Sequence, residues 1–347
     1  MFYLNYRLIY MGDSKLQDLN VCGEMTVLDS PGVRHGYLNQ GMIVVDSNKK
    51  LSIAVPTYNR AEFVDSFMSA LRLCFEPHCV DVYISDNASS DGSKEILDRH
   101  AKENPHVRYH RNESTIGPDE NFERVLGYPD TEYVWLVGDT YKIAEPVIRA
   151  VMASLEEDDY DAVLVNVEER VEDVPEQVYT DRSKLLADLG WHITCIGSMV
   201  YSKKLLQHAD FQRYRDTNFL QTGILFEYIA DRPFRIKWIP QHSVMGLKVP
   251  GVQKTSWQDQ TLEIWTKRWA NFIFSLPAVY DLDSKLKCIM DHGVKSRLFS
   301  FSALKRLRRK NILNSESCRR YSKYFPFTVQ FPSILLRILS ILPKSMF

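Results

Sequence analysis

Two acidic residues stand where an acid is costly. Asp86 follows the apolar run Val80–Ser85, and Asp139 follows Tyr133–Val137 with one glycine between. A carboxylate leaving a buried strand is unfavourable unless something compensates it, so each is expected to serve a ligand. Asp86 could accept a hydrogen bond from a pyrimidine N–H. Asp139 is suited to a divalent metal or a ribose-diphosphate. Ahead of both, Pro56–Arg60 (PTYNR) offers the hydroxyl of Thr57 and the ring of Tyr58, which could bond a ribose or stack on a base. The plainer reading of that stretch is a strand-to-helix turn, with Asn59 as helix N-cap and Glu62 at N3. Arg111, in His110–Gly117, is a cation that could meet a diphosphate, and Gly117–Pro118 otherwise reads as a loop-to-helix junction. Asp91 and Gly92 are expected to form a turn and cap the next helix, while Tyr141 and Lys142 flank Asp139.

The elements that position these residues alternate along the chain. Leu51–Val55, Val80–Ser85, Val107–His110, Tyr133–Val137 and Ala162–Val167 read as short apolar strands. Between them, Arg60–Cys74 places Phe63, Phe67 and Leu71 on one helical stripe, and Ser90–Glu103, the stretch opening at Pro118, and Glu145–Leu155 read as further helices. Strands alternating with helices of this length predict an α/β fold with a parallel sheet covered on both faces. In such sheets ligands bind beyond the carboxyl ends of the strands, which is where the polar residues above are found.

Beyond residue 170 the pattern loosens. Pro175–Thr180 reads as a loop and Ser183–Leu189 as a short helix; Trp191–Tyr201 is a stretch that could line a pocket. Phe219–Ala230 and the aromatic-rich Trp257–Leu276 read as helices. Residues 1–48 have weak periodicity and are expected to be a poorly defined N-terminal extension, with Met11, Met25 and Met42 as alternative starts.

The formal net charge of −1 gives no reason to expect a nucleic-acid partner. Six scattered cysteines, with no CxxC pair, argue against a zinc site or a disulfide framework and fit a reducing compartment. There is no run of 18 apolar residues and no basic-then-apolar N-terminal leader. From Lys295 to Lys323, however, ten Lys or Arg residues face one acid, Glu316, and the apolar Ser333–Leu342 follows with Arg337 as its single charge. A basic stretch beside a short apolar helix suits an anionic membrane surface; the alternative is a C-terminal helix docked on the domain with a solvated basic face. A cytoplasmic enzyme, peripheral on the inner face of the plasma membrane, is expected.

Four segments in this order, AVPTYNR, YISDNASSDGSKEI, YHRNESTIGPDENFERVL and YVWLVGDTYKI, resemble the family 2 glycosyltransferases of the GT-A fold. The last two are similar to a bacterial subgroup, abequosyltransferase-like, that adds sugars to O-antigen or capsule repeat units. The resemblance implies a Rossmann-like, mostly parallel sheet flanked by helices, with a helical C-terminal extension. It implies a GT-A domain over 49–245, split into a nucleotide-binding half (51–167) and an acceptor half (168–245), and a helical region over 246–347. It places Thr57, Tyr58 and Asp86 on the nucleotide of a nucleotide-sugar donor and the family's metal-binding DXD-type motif on Gly138–Tyr141. There only Asp139 is acidic, so Mg²⁺ or Mn²⁺ would be held by one carboxylate plus diphosphate oxygens. The implied reaction transfers a sugar to a polyprenyl-linked saccharide acceptor with inversion, which needs a general base. Asp216, in Arg215–Gly223 (RDTNFLQTG), is the candidate; His192 is a weaker one, and Glu227 is expected on a helix surface. Two rivals remain at this level: a nucleotide-sugar-binding protein without turnover, and a nucleotidyltransferase, which would want a glycine-rich basic loop after the first strand.

Overall fold

The structure, a computed structural model, describes residues 34–37, 42–45, 49–72, 80–252 and 257–346. Two compact units are present, 1–47 and 48–347. In the first, β1 (Arg34–Tyr37) and β2 (Met42–Val45) pair antiparallel, Arg34 opposite Val45; the rest of the extension expected over 1–48 lies outside the described residues.

In the second unit the predicted strands form β3 (Leu51–Thr57), β4 (Asp81–Asp86), β5 (Val107–Arg111), β6 (Tyr133–Leu136) and β8 (Ala162–Val167). Four further strands join them: β7 (Tyr141–Lys142), β9 (Gln177–Tyr179), β10 (Met199–Ser202) and β11 (Ile236–Gly246). The sheet runs β5-β4-β3-β6-β10-β8-β11-β7, with β9 also on β11. Neighbours from β5 to β6 are parallel, as are β8 and β11. The sheet is mostly parallel, as expected; β10 runs antiparallel between β6 and β8, and β7 and β9 run antiparallel to β11. Gln177–Tyr179 is a strand rather than the loop expected over Pro175–Thr180, and Trp191–Ile193, at the start of Trp191–Tyr201, is packed in the core.

Side chains alternate across the sheet with the two-residue period of a strand. On one face Trp135, Val163 and Val165 pack with Val64, Phe67 and Met68 of α1 (Ala61–Leu71), Leu97 of α2 (Ser93–Glu103) and Val147, Ile148 and Val151 of α4 (Glu145–Glu157). On the other, Val134, Leu136, Ala162 and Leu164 pack with α3 (Pro118–Leu126), α5 (Arg182–Leu189) and α6 (Leu220–Tyr228). α6 is buried at every residue but Glu227, which is half-buried, as suits a helix packed between layers. In β11 a bulge between Ile239 and Ser243 accommodates Pro240, which could not donate to a regular ladder.

Trp257–Leu276 is not the single α-helix its aromatic spacing predicts. A 3₁₀ turn (Gln258–Gln260) precedes a π-helical stretch (Glu263–Arg268), which runs into α7 (Trp269–Ser275). The π-turn accompanies the stacking of Trp265 on His292 of α8 (Leu282–Lys295), ring centroids 4.3 Å apart; such turns are frequent at functional sites. The C-terminal helices α9 (Phe301–Arg309), α10 (Ser315–Tyr321) and α11 (Ser333–Ile341) gather around a small core of their own, including Leu304, Leu307, Tyr321, Leu336 and Leu339.

Candidate active site at the strand exits

Parallel register brings three of the singled-out residues into one row. Thr57, the last residue of β3, pairs with Asp86, the last of β4, and Asp86 pairs with Arg111, the last of β5. On the other side of β3, Val137 donates its N–H to Ala54 O (2.9 Å), which carries Asp139 to the same edge. There the Thr57 hydroxyl donates to Asp139 Oδ2 at 2.7 Å. Burial pushes the Asp139 carboxyl up to about 6, against the opposing pull of Arg60 and of the Thr57 hydroxyl. Asp139 is thus an acid held in a place that disfavours its charge, which is what a cation or a donor proton would relieve.

Asp86 is fully buried, and both of its oxygens are engaged. Oδ1 accepts the Ser89 N–H at 3.0 Å, and Oδ2 accepts from the Arg111 guanidinium. The second arm of Arg111 donates to Ser89 O at 2.7 Å. Arg111 therefore sits on Asp86 at the β4 exit. Tyr58, next to Thr57, stands at the mouth with its ring about half exposed.

The turn after β3 is built differently from the predicted cap. Asn59 adopts φ 50°, in the left-handed region where asparagine is tolerated, and its Oδ1 accepts from Ser90 N at 2.7 Å. Arg60 is the N-cap of α1, with no side-chain cap bond. The cap comes from the neighbouring exit: Asp91 Oδ2 accepts from Ala61 N at 3.0 Å while its Oδ1 holds Ser93 N–H and hydroxyl. Asp91 thus serves both helices, and Gly92 (φ 87°) makes the turn, as its sequence predicted.

Beneath this row lies a polar network that sequence reasoning passed over. Asn112 Nδ2 donates to Asn87 Oδ1 and Asn121 Oδ1, both at 3.0 Å, and the Ser85 hydroxyl donates to Asn121 Oδ1 at 2.7 Å. Asn87 in turn exchanges two bonds with the backbone of Ile116, each 2.9 Å. All four side chains are buried. They tie the β4 and β5 exits to α3, so that the loops around Asp86 are held by fully satisfied groups. The available signal was three asparagines at strand ends or a helix start, in segments otherwise read as turns.

The second half reaches this edge through the turn between Tyr214 and α6. Asp216 is exposed there, and its Oδ1 lies 3.7 Å from where a Cβ on Gly117 would stand, at the β5-to-α3 junction. His192 lies elsewhere, fully buried between Trp191 and Trp238, its Nε2 3.2 Å from Val165 O. Burial holds its pKa down at about 3, so it stays neutral and packed. Glu227 is half-buried and accepts from the Tyr214 hydroxyl at 2.6 Å, rather than lying free on a helix surface. Tyr141 packs beside Gly138 and Gly197. Among the described residues no group of three His, Cys, Asp or Glu side chains could hold a metal ion by itself.

A family profile described as Glycosyl transferase family 2 matches residues 52–232. The abequosyltransferase RfbV of Salmonella typhimurium is 29% identical over 109 residues, which is 30% of this chain and 32% of that protein. The chain thus matches about a third of that relative's length. Two solved structures share the fold. S. aureus TarS, in complex with UDP-GlcNAc, superposes with a TM-score of 0.56 at 15% identity, over 84% of this chain and 87% of that one. The mannosyltransferase PcManGT from Pyrobaculum calidifontis, in complex with GDP-Man and Mn²⁺, gives 0.53 at 14% identity, over 84% of each chain.

Proposed function

Since the chain belongs to glycosyl transferase family 2, we propose that it inverts the anomeric centre as it moves a sugar from a nucleotide-sugar donor onto a lipid-linked saccharide, in building an O-antigen or capsule. One observation carries the reading. The Thr57–Asp139 pair and Asp86 share a sheet edge, and the turn bearing Asp216 crosses that edge at Gly117. The similarity to RfbV, named an abequosyltransferase, supports a deoxysugar donor and an O-antigen role.

In this reading Thr57, Tyr58 and Asp86 hold the nucleotide. The ring of Tyr58 stacks on the base, while Asp86, kept in place by Ser89 and Arg111, accepts from a base N–H. Arg111 helps the nucleotide through Asp86 rather than by meeting the diphosphate directly. Asp139 serves the diphosphate end. Its residues fit a divalent cation, Mg²⁺ or Mn²⁺, with one protein carboxylate, because a cation beside Asp139 would offset the burial that raises its pKa to about 6. When bound, such a cation stabilises the negative charge on the departing diphosphate. Asp216 takes the proton of the acceptor hydroxyl as the new C–O bond forms on the face opposite the breaking bond to phosphate, so one bond forms and one breaks with inversion.

The acceptor's lipid calls for a membrane surface, and α11 offers one. Leu336 and Leu339 face the C-terminal core, while Ile334, Ile338 and Ile341 are exposed at i, i+4, i+7 spacing. Arg306, Arg309, Arg337 and Lys344 are exposed on the same group of helices. No helix among the described residues is long and apolar enough to cross a membrane. The enzyme would instead lie on the inner face of the plasma membrane, apolar stripe down, with its cations on anionic headgroups.

The test is a panel of UDP-, GDP-, CDP- and dTDP-sugars, read first as thermal shift with and without Mn²⁺ and then as release of nucleoside diphosphate. One nucleotide sugar should stabilise the protein more when metal is present and be turned over. Stabilisation by nucleoside monophosphates or polynucleotides alone would sink the reading, and full transfer activity in Asp139→Asn would move the catalytic centre elsewhere.

A further inference from the structure

Asp119, the second residue of α3, is a buried acid that none of the roles above uses. Its Oδ2 accepts the N–H of Asn218 at 3.0 Å, and its Oδ1 is buried with no hydrogen-bond partner. Burial is the largest influence on this carboxyl and disfavours its charge, as does the nearby Asp216, while the Asn218 N–H favours the charged form. The turn it faces is an unusual one. Asp216 and Asn218 both have positive φ, 65° and 71°, in the left-handed region that aspartate and asparagine tolerate better than other non-glycine residues. The turn is held from three sides. Arg268 of the π-helical stretch donates to Asn218 Oδ1 at 2.7 Å and to Asp216 O at 3.4 Å. Thr217 folds back on Tyr214 O at 2.6 Å, and Phe219 is pinned among Trp265, Trp269 and Phe272. Asp119 supplies the third hold, from the nucleotide-binding half.

We propose that Asp119 is a positioning residue for Asp216: its carboxylate accepts the Asn218 N–H of the 216–218 turn and thereby sets where the Asp216 carboxylate stands over the β5 exit. The inference rests on the reading of Asp216 as general base. An apolar side chain would fill the same space without the penalty of a buried charge, but it could not accept the Asn218 N–H. An amide could still accept it through its one oxygen, without the charge. Asp119 also joins the two halves, because the N–H it accepts belongs to the turn that brings the base to the donor.

The experiment uses the full chain with Asp119→Ala, Asp119→Asn, Asp216→Asn, Arg268→Ala and the double variant Asp119→Ala/Asp216→Asn. Each is assayed by release of nucleoside diphosphate from whichever UDP-, GDP-, CDP- or dTDP-sugar wild type turns over fastest, and by hydrogen exchange at the 216–218 amides. Asp119→Ala should lower kcat by about 100-fold, as expected when a reacting group shifts by about 1 Å, with KM for the nucleotide sugar unchanged. Asp119→Asn should recover part of that loss. In the Asp216→Asn background the alanine change should cost nothing more, because a residue acting through Asp216 has nothing left to place. Arg268→Ala, which loosens the turn from the opposite side, should give the same kcat-only loss if Asp119→Ala fails to fold. Unchanged amide exchange in Asp119→Ala, or a loss that adds to that of Asp216→Asn, overturns the inference. Full activity in Asp216→Asn instead overturns the general-base reading itself, a result separable because exchange at 216–218 would still report on the hold.

Discussion

At the scale of single residues, the site sets charges where the fold disfavours them. The folded Asp139 carboxyl has a pKa of about 6 against an ordinary value of 3.8. A carboxyl raised in the folded state lends stability below its unfolded pKa and loses it as pH rises through the folded one. Relative to wild type, Asp139→Asn should therefore be equally stable near pH 3.8 and more stable above pH 6. The gain should approach about 3 kcal/mol, the equivalent of roughly two pKa units. Urea unfolding of both proteins at the two ends of that window checks this, and a variant less stable at both ends would contradict it. Asp86 is the complementary case, its charge already paired. Arg111→Ala should cost about 3 kcal/mol, the low end for breaking a buried pair, because the guanidinium is itself a third exposed. Adding Asp86→Asn to Arg111→Ala should restore part of the loss in the same unfolding measurement. The two acids were legible in the sequence because an acid after an apolar run is conspicuous. The partner of Asp86 was not, because the pairing depends on the β4–β5 register that sets Arg111 opposite it. Nothing in His110–Gly117 states that register.

At the scale of elements, legibility follows the length of each periodic signal. The helix stripe Phe63, Phe67, Leu71 spans two turns and reads unambiguously, whereas β10 offers only Met199–Ser202. Four residues buried on both faces carry no alternation to detect. The π-helical stretch is hidden for a different reason: its aromatic spacing fits an α-helix until the stacking of Trp265 on His292 is known. The sequence offered Asp216 as a candidate base but not the turn that carries it, which packs through Tyr214 against Gly223. A Cβ there would lie 2.3 Å from Cγ of Tyr214, whose ring lies flat on the helix. Gly223→Ala should force Tyr214 outward, costing about 1–3 kcal/mol in a thermal or chemical melt, the usual range for an overpacked site. Because Tyr214 O also holds Thr217, the same change should lower kcat by disturbing the turn that bears Asp216. A variant with unaltered stability would show that the ring has room to move.

At the scale of the whole molecule, the C-terminal helices should decide where the enzyme works more than how fast. Ile338→Asp, on the exposed side of α11, leaves the small core of Leu336 and Leu339 untouched. It should weaken sedimentation with vesicles containing anionic lipid while leaving nucleotide-sugar hydrolysis in solution at the wild-type rate. Binding that survives both this change and high salt would assign the stripe to some other contact. The antiparallel strand β10 bears on how the molecule is made. Strands β3 to β6 can pair in parallel as soon as they leave the ribosome, but β6 then shows an open edge, since its other neighbour, Met199–Ser202, is still unsynthesised. Trp135, whose indole N–H is destined for Gly197 O, waits with it. Open apolar edges are templates for pairing with other chains. A nascent chain stalled between Leu136 and Met199 would therefore depend on a chaperone to stay soluble, and slow codons in that interval should lower yield more than the same codons placed after Ser202.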